Sequence, residues 1–259
     1  MEYFKKLEEN PYADFYWNVP EVKQGKINIV GGNAQNFRTP VKIAEFMGAK
    51  YPVKDVSLVL PDALKEKLPE LPDLTFLKST ESGSFADEGE LARVFEAADF
   101  NILIGDLSRN KITEKAIVGA VRDSEKPLIV TRDAVDAFAE ECSEESLMRE
   151  GLMIFGSMPQ VQKIFKAVYY PKMLLLSQSL VQVADALHKF TLSYPATIIT
   201  LHAGQILVAK DGEVVAVPLE KSGYSPIMIW GGEMAAKIAI LNLYNPNNFL
   251  KASVAAIFA

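Results

Sequence analysis

The pair Gly231-Gly232, followed by Glu233 at the predicted start of a helix, is the segment of this chain best suited to bind an anion. The first backbone N–H groups of a helix have no partner within it, and the positive end of the helix dipole favours negative charge. Glycine also lets a phosphate approach the backbone closely. A tight turn into the helix explains the same two residues equally well, so both interpretations stay open.

Glu233 falls in the first turn of that helix, where two roles are available to a carboxylate. It can complement the helix dipole, which is a sufficient structural reason for an acid at this position. It can also act as a general base beside a bound phosphate. Position alone favours the structural role.

Other candidate residues lie in loops that follow predicted strands, where the ligands of doubly wound sheets bind. These loops are Gly31-Gly32-Asn33, Gly105 to Asn110, Thr131-Arg132-Asp133, Gly156-Ser157 and Leu201-His202-Ala203-Gly204. Asp106 and Asp133 each follow a strand directly, where starting a loop or capping a helix explains an aspartate as well as ligand binding does. Gly31-Gly32 lacks the third glycine of the dinucleotide-binding fingerprint, and the chain has no phosphate-binding P-loop motif.

Composition excludes several functional classes. The 259 residues include 27 Lys and Arg against 33 Asp and Glu, a net charge of −6, which disfavours binding to nucleic acid. One cysteine, Cys142, and two histidines argue against a zinc site, so no metal is expected. The single cysteine also favours a reducing, cytoplasmic location, and its acidic neighbours should raise the pKa of its thiol. His188 is expected to face solvent. No apolar run reaches roughly 18 residues, so no membrane association is expected.

The elements that must position these residues alternate between strand and helix. Apolar runs predict strands at 27–30, 56–60, 74–77, 101–104, 128–130 and 152–155. Helical periodicity predicts helices from 39, from 61 and over 88–98, 112–121, 134–140 and 159–168. This rhythm indicates a parallel sheet with helices on both faces.

The C-terminal third predicts an antiparallel edge on that sheet. A helix over 179–189 precedes three closely spaced strands at 197–201, 206–209 and 214–217, and helices over 231–244 and 248–258 end the chain. Asp211-Gly212 is typical of a hairpin turn. We expect residues 1–25 to form an N-terminal arm and residues 26–259 a single α/β domain. The arm is expected to pack its aromatic side chains against a second subunit; these are Tyr12, Phe15, Tyr16 and Trp17.

Five segments together carry a resemblance to a known family. They are Gly25 to Gly32, Ala97 to Asn110, Pro127 to Val135, Thr200 to Gln205, and Trp230 to Glu233. In order and character these loops resemble the ribokinase-like superfamily and, within it, the ADP- or ATP-dependent NAD(P)H-hydrate dehydratases, from about Pro20 to the C-terminus. The resemblance implies a three-layer fold with a mainly parallel central sheet, ADP or ATP as the bound nucleotide, and a homo-oligomer.

The resemblance also implies roles for particular residues. Glu233 stands where the family has its catalytic aspartate. The nucleotide-binding positions correspond to Gly231, Gly232, His202 and Gly204. The substrate-binding positions correspond to Gly32, Asn33, Asp106 and Asp133.

Several family positions are altered in this chain. Trp230 replaces a glycine of the anion-binding turn, Leu201 replaces a lysine, and Glu233 replaces the aspartate. The segment Gly156 to Pro159 also lacks the histidine of the family motif. These changes predict weak or absent dehydratase activity.

Three functional hypotheses follow. The first is a diverged NAD(P)H-hydrate dehydratase-like protein that binds a nucleotide. The second is a non-catalytic relative that acts as a binding protein or an oligomeric scaffold, which the altered loops favour. The third is a small-molecule kinase of the same superfamily, which would need the same base and the same anion-binding turn.

Overall fold

Ten strands form one mixed sheet in the computed structural model of the chain, which describes residues 2–68 and 73–259. The strands are β1 (Phe4–Lys6), β2 (Gln24–Gly31), β3 (Val53–Pro61), β4 (Leu74–Leu77), β5 (Phe100–Gly105), β6 (Leu128–Thr131), β7 (Leu152–Phe155), β8 (Thr197–His202), β9 (Gln205–Lys210) and β10 (Glu213–Pro218). Their order in the sheet is β1-β10-β9-β8-β7-β6-β5-β2-β3-β4.

The α-helices occupy nearly all of the segments in which helical periodicity was found. They are α1 (Arg38–Lys50), α2 (Glu88–Glu96), α3 (Lys111–Asp123), α4 (Asp133–Glu141), α5 (Glu144–Leu147), α6 (Met158–Ala167), α7 (Leu180–Ser193), α8 (Glu233–Leu243) and α9 (Phe249–Ile257). Short 3₁₀ helices lie at Ala13–Asn18, Asp62–Leu64, Leu219–Ser222 and Met228–Gly231. The helix expected from residue 61 is therefore a single 3₁₀ turn.

Seven neighbouring strands pair in parallel, in the order β4, β3, β2, β5, β6, β7 and β8. The pairs β8–β9 and β9–β10 are antiparallel. The turn between β9 and β10 uses Asp211 and Gly212, both with φ in the left-handed region. The predicted parallel sheet with an antiparallel edge near the C-terminus is confirmed.

Side chains of the central strands alternate between two helical layers. Val30 and Val130 face a core shared with α2, α3, α4, α6 and α7, whereas Ile29 and Ile129 face a core shared with α1, α8 and α9. Burial on both faces explains why these strands are almost continuously apolar. The result is the expected three-layer arrangement. Within the described residues, no helix is both long and apolar enough to cross a membrane.

The N-terminal arm contributes to the sheet, which its sequence did not predict. Strand β1 pairs in parallel with β10 and forms one edge. The partly buried Tyr12 and Phe15 pack on the core of their own chain, and Tyr16 Oη donates to the Ala255 carbonyl at 3.1 Å. Trp17 is 86% exposed. Tyr12 and Phe15 are thus partly covered by their own chain, and the packing of Trp17 against a second subunit stays a prediction.

Two single-residue expectations also changed. His188 does not simply face solvent: its ring stacks on Tyr3 with centroids 3.8 Å apart, and its Nδ1 contacts the Gly212 carbonyl. The pKa of the Cys142 thiol is raised to about 12, as expected, but the cause is burial rather than the neighbouring acids.

Candidate functional site

The carboxyl ends of β2, β5 and β6 meet at one edge of the sheet because these strands are neighbours. Asp133, at the start of α4, accepts hydrogen bonds from the backbone N–H groups of Asp106 at 2.9 Å and Leu107 at 3.0 Å. Asn33 Nδ2 donates to the Asp106 carbonyl at 2.7 Å. Three of the four residues expected to bind substrate are therefore brought together, and much of their hydrogen-bonding capacity holds the loops to one another.

Gly105 makes this close meeting of loops possible. Its φ is +96°, and a Cβ there would lie 2.1 Å from Asp133 Oδ1. Only glycine fits at this position, because any side chain would collide with the Asp133 carboxylate that accepts hydrogen bonds from the loop after β5. The Gly105 carbonyl accepts from the N–H of Gly32 at 2.8 Å, so the fourth expected substrate-binding residue joins the same cluster of loops.

Arg132 ties the loops to the segment before α8. Its Nη2 lies 3.1 Å from Asp106 Oδ1, and its Nη1 donates to the Trp230 carbonyl at 3.1 Å. Its Nε is buried without a hydrogen-bond partner among the described residues. Arg132 lies in one of the loops predicted to bind a ligand, but the sequence alone predicts no role for it. A cation directly after a buried strand and next to Asp133 is the signal that could have identified it.

A cavity of about 490 Å³ opens beside Arg132. Its lining residues are Arg132, Asp133, Asp136, Ser157, Pro159, Gln160, Lys163 and Trp230. The Trp230 ring packs on Phe155 with centroids 5.3 Å apart, which fixes one wall. Two cations, two carboxylates and one aromatic surface therefore face a single space of ligand size.

The start of α6 supplies the opposite wall. Ser157 and Gln160 form a capping box, and Gln160 Nε2 donates to both the Arg132 carbonyl and Asp136 Oδ2 at 2.7 Å. Lys163 forms an ion pair with the other oxygen of Asp136. The sequence does not mark Asp136 or Lys163 as candidate residues; for Gln160, the Ser-x-x-Gln spacing at a helix start is the available signal.

The start of α8 has one open glycine and one packed glycine. A Cβ on Gly231 would meet nothing within 4 Å, whereas a Cβ on Gly232 would lie 2.8 Å from Ile104 Cδ1. Gly232 also has φ +98°. The backbone at Gly231 is therefore accessible to a ligand from its Cα side, and Gly232 forms the N-cap of the helix against the core.

Glu233 points toward α1. Its Oε1 accepts a 2.9 Å hydrogen bond from Lys42 Nζ. Burial raises the pKa of Tyr224 to about 12, and the negative charge of Glu233 adds to that effect. Glu233 is not among the residues that line the 490 Å³ cavity. The expected base thus pairs with a largely exposed ammonium group and does not line that cavity.

His202 and Gly204 form the end of β8 and the turn into β9. His202 is buried, and its Nε2 lies 2.8 Å from the Gln178 carbonyl. The Gly204 carbonyl accepts from Leu219 N–H at 2.9 Å. Both residues therefore have structural partners in addition to any nucleotide-binding role. Within residues 2–68 and 73–259, no group of three or more His, Cys, Asp or Glu side chains could hold a metal ion.

Among known proteins, only solved structures match this chain, and they identify its fold. No protein-family model matches the chain, and no curated protein matches it in sequence. Solved structures do match. A hypothetical protein from Streptococcus mutans aligns with a TM-score of 0.65 and 13% identity, over 97% of this chain and 88% of that one. A ribokinase-like superfamily protein from Enterococcus faecalis aligns with a TM-score of 0.64 and 14% identity, over 100% and 86%.

An ADP/ATP-dependent NAD(P)H-hydrate dehydratase from Bacillus subtilis, co-crystallised with ATP and Mg²⁺, aligns with a TM-score of 0.60 and 13% identity, over 97% of this chain and 86% of that one. At such identities the likeness concerns architecture. The ribokinase-like fold expected from the loop order is confirmed.

Proposed function

We propose that this protein is a ribokinase-like nucleotide-binding protein, diverged from the NAD(P)H-hydrate dehydratases, with weak or absent dehydratase activity. The observation that carries the proposal is that the cavity and the carboxylate of the expected base are separate. A cavity lined by two cations, two carboxylates and an aromatic wall is present, while the carboxylate at the position of the expected base pairs with Lys42 outside it.

The nucleotide is proposed to place its phosphates against the first turn of α8. The accessible backbone of Gly231 and the N–H groups that begin the helix supply hydrogen-bond donors there. Arg132 reaches the same segment through the Trp230 carbonyl, and its guanidinium adds positive charge at this edge of the sheet.

Weak chemistry is proposed because of how Glu233 is held. A general base must reach the proton that it removes, within about 3 Å or through one water. Here the carboxylate is engaged by an ammonium group on α1. Its side chain is also one methylene longer than the aspartate at this family position, and a misplacement near 1 Å can cost on the order of 100-fold in rate.

A small-molecule kinase is the second candidate. A hydroxyethylthiazole kinase from Pyrococcus horikoshii shares the fold, with a TM-score of 0.51 and 14% identity over 90% of this chain and 76% of that one. A kinase would need the same base and the same anion-binding turn, so the Lys42 pair counts equally against it. A binding or scaffold role needs neither.

Thermal unfolding with ADP, ATP, NADH and NADPH tests nucleotide binding. A ligand at 100 times its dissociation constant should stabilise the native state by about 2.7 kcal/mol. The variant Gly231→Ala places a methyl group in the proposed phosphate position, and Gly48→Ala is its control because a Cβ there also meets nothing within 4 Å. We expect ADP or ATP to raise the melting temperature of the native protein and of Gly48→Ala, and to raise that of Gly231→Ala much less.

Equal stabilisation of both variants would contradict the phosphate position, and no stabilisation by any of the four ligands would contradict nucleotide binding. Two activity assays then separate the enzymatic hypotheses. Conversion of hydrated NADH with ADP or ATP detects a dehydratase, and transfer of the ATP γ-phosphate to a panel of small alcohols detects a kinase.

A further inference from the structure

A second cavity, of about 420 Å³, lies between α2 and the open face of β2, β3 and β4. Its lining residues are Lys26, Asn28, Ser57, Val59, Thr75, Phe76, Leu77, Glu90, Arg93, Val94 and Ala97. None of them lines the cavity beside Arg132. We call this second cavity the α2 groove.

Register explains why polar side chains collect in the α2 groove. Asn28 pairs with Ser57, and Val59 pairs with Thr75, so these positions of the three strands lie side by side across the sheet. On the helix, Glu90, Arg93, Val94 and Ala97 recur at spacings of three and four and share one face. The sheet supplies an amide and two hydroxyls, and the helix supplies a guanidinium and a carboxylate.

Asn28 is the buried polar group of the groove. It is 2% exposed, and its Nδ2 donates to the Val94 carbonyl at 2.6 Å, which fixes the orientation of the amide. In the described part of the chain, its Oδ1 has no hydrogen-bond partner. An acceptor held in this way at the back of a cavity is placed to receive an O–H or N–H from a ligand.

The charges in the groove are unbalanced. Over the residues that the structure describes, neither the Lys26 ammonium nor the Arg93 guanidinium has an ion-pair partner. Glu90, the one acid in the lining, already accepts a hydrogen bond from the Lys78 backbone N–H at 2.8 Å. Ser57 and Thr75 have no hydrogen-bond partner for their hydroxyls on the described chain. On a protein with a net charge of −6, two unpaired cations facing one cavity favour an anion.

We infer that the α2 groove binds a small polyhydroxylated anion, such as a sugar phosphate or a sugar acid. Its anionic group pairs with Lys26 and Arg93, and its hydroxyls bond to Asn28 Oδ1, Ser57 and Thr75. The Val94 and Ala97 side chains contact the carbon skeleton. A volume of about 420 Å³ suits a ligand of this size.

NMR titration of the ¹⁵N-labelled full chain tests the inference, with ribose 5-phosphate, gluconate and neutral ribose as probes. We expect ribose 5-phosphate or gluconate to shift backbone amides of residues 24–31, 53–61, 74–77 and 88–97, and ribose to bind at least tenfold more weakly. The choice between the two anions distinguishes phosphate from carboxylate. Shifts confined to residues 132–136 and 157–163, or equal binding of ribose, would overturn the inference.

Substitutions test whether the positive charges of Lys26 and Arg93 are needed to bind the anionic probe. Lys26→Met/Arg93→Gln should weaken binding of the anionic probe at least tenfold, while Lys115→Met/Lys166→Met removes the same two charges elsewhere and should leave it unchanged. Thr75→Glu adds a carboxylate at an exposed position of the groove and should also abolish binding without unfolding the protein. Unchanged affinity in the Lys26/Arg93 variant, or equal loss in the Lys115/Lys166 control, would contradict the proposed site. Because no part of this test uses a nucleotide, its outcome is independent of the proposed function.

Discussion

The ammonium group of Lys42 lies 2.9 Å from Glu233 Oε1 and joins the exposed side of α1 to the first turn of α8. The two residues are 191 positions apart in sequence. The ammonium group and the positive end of the helix dipole together stabilise the negative charge of this carboxylate, so no ligand is needed to explain it. The position expected to hold a base is therefore occupied by a residue with a structural partner.

The first prediction concerns dehydratase turnover. The native protein should convert hydrated NADH with ADP or ATP at a rate near background, because the resemblance implies that Glu233, Leu201 and Trp230 replace an aspartate, a lysine and a glycine of the family. If each change removes about 1–3 kcal/mol of transition-state stabilisation, the three together remove several powers of ten at most. The triple reversion Trp230→Gly, Glu233→Asp and Leu201→Lys should raise turnover, since the shorter aspartate side chain also loses reach toward Lys42.

The reverted protein must be shown to be folded, because removing the Trp230 ring leaves space beside Phe155. A control with Trp230→Gly alone separates that loss of packing from catalysis. Robust turnover by the native protein would show that Glu233 works as a base despite its ion pair.

The second prediction concerns Arg132. The variant Arg132→Met removes the link between Asp106 and the Trp230 carbonyl and leaves a half-buried carboxylate without its cation. We expect a loss of about 1–3 kcal/mol in the free energy of unfolding, measured with urea, and weaker nucleotide binding. Arg132→Lys keeps the charge but not the two-branched contact, and should recover only part of the stability. The exposed Arg109→Met is the control; an equal loss there would refute a specific role for Arg132.

A third prediction compares adjacent glycines. Gly232→Ala should destabilise the protein by roughly 1–3 kcal/mol, because its φ of +98° strains an alanine and the new Cβ meets Ile104 Cδ1. Gly231→Ala should change the free energy of unfolding by less than about 0.5 kcal/mol, because its Cβ meets nothing. Thermal or urea unfolding measures both. Equal costs would mean that the backbone before α8 differs from the one described.

Cys142 provides a fourth prediction, on alkaline stability. Burial raises the pKa of its thiol to about 12, whereas an unfolded thiol ionises at about 8.5. Below about pH 8.5 both states keep the proton; above it the unfolded state ionises first, so this contribution to stability is lost as the pH rises from about 8.5 toward 12. Cys142→Ala should flatten that decline after correction for its lower starting stability.

The same burial protects the thiol from reagents. At about pH 8 the native Cys142 thiolate fraction is roughly 10⁻⁴, so a disulfide reagent should label it far more slowly than the denatured chain. Fast labelling of the native protein would contradict the buried position.

The arm gives a fifth prediction. Phe15→Ala should destabilise the monomer, because Phe15 packs on the core of its own chain, while Trp17→Ala should not, because Trp17 is 86% exposed. If a second subunit covers Trp17, as expected for a homo-oligomer, Trp17→Ala should shift the protein toward monomer in sedimentation or sizing. An identical mass for native protein and Trp17→Ala, with both monomeric, would refute that expectation.

The element order could be read from the sequence because each element carries its own local signal. The run Ile27 to Val30 is apolar at three of its four positions because both faces of its strand are covered by helices, and Asp211-Gly212 marks a hairpin through φ values that few other residues adopt. The sequence also predicts that the loops after the strands lie close together, since neighbouring parallel strands end at the same edge of the sheet. The short strand β1 did not, because three residues carry too little pattern to stand out in an arm.

The site itself was decided by contacts between residues distant in sequence. Three contacts depend on how the helices pack against the sheet. They are the ion pair of Glu233 with Lys42, the hydrogen bond from Arg132 to the Trp230 carbonyl, and the hydrogen bond from Asn28 to the Val94 carbonyl. Local periodicity decides which face of an element is buried, but it does not decide which polar side chain on another element meets it. The sequence therefore determined the layers and the loops in which a ligand could bind, and the tertiary structure alone decided which charges in those loops are already paired and which remain open.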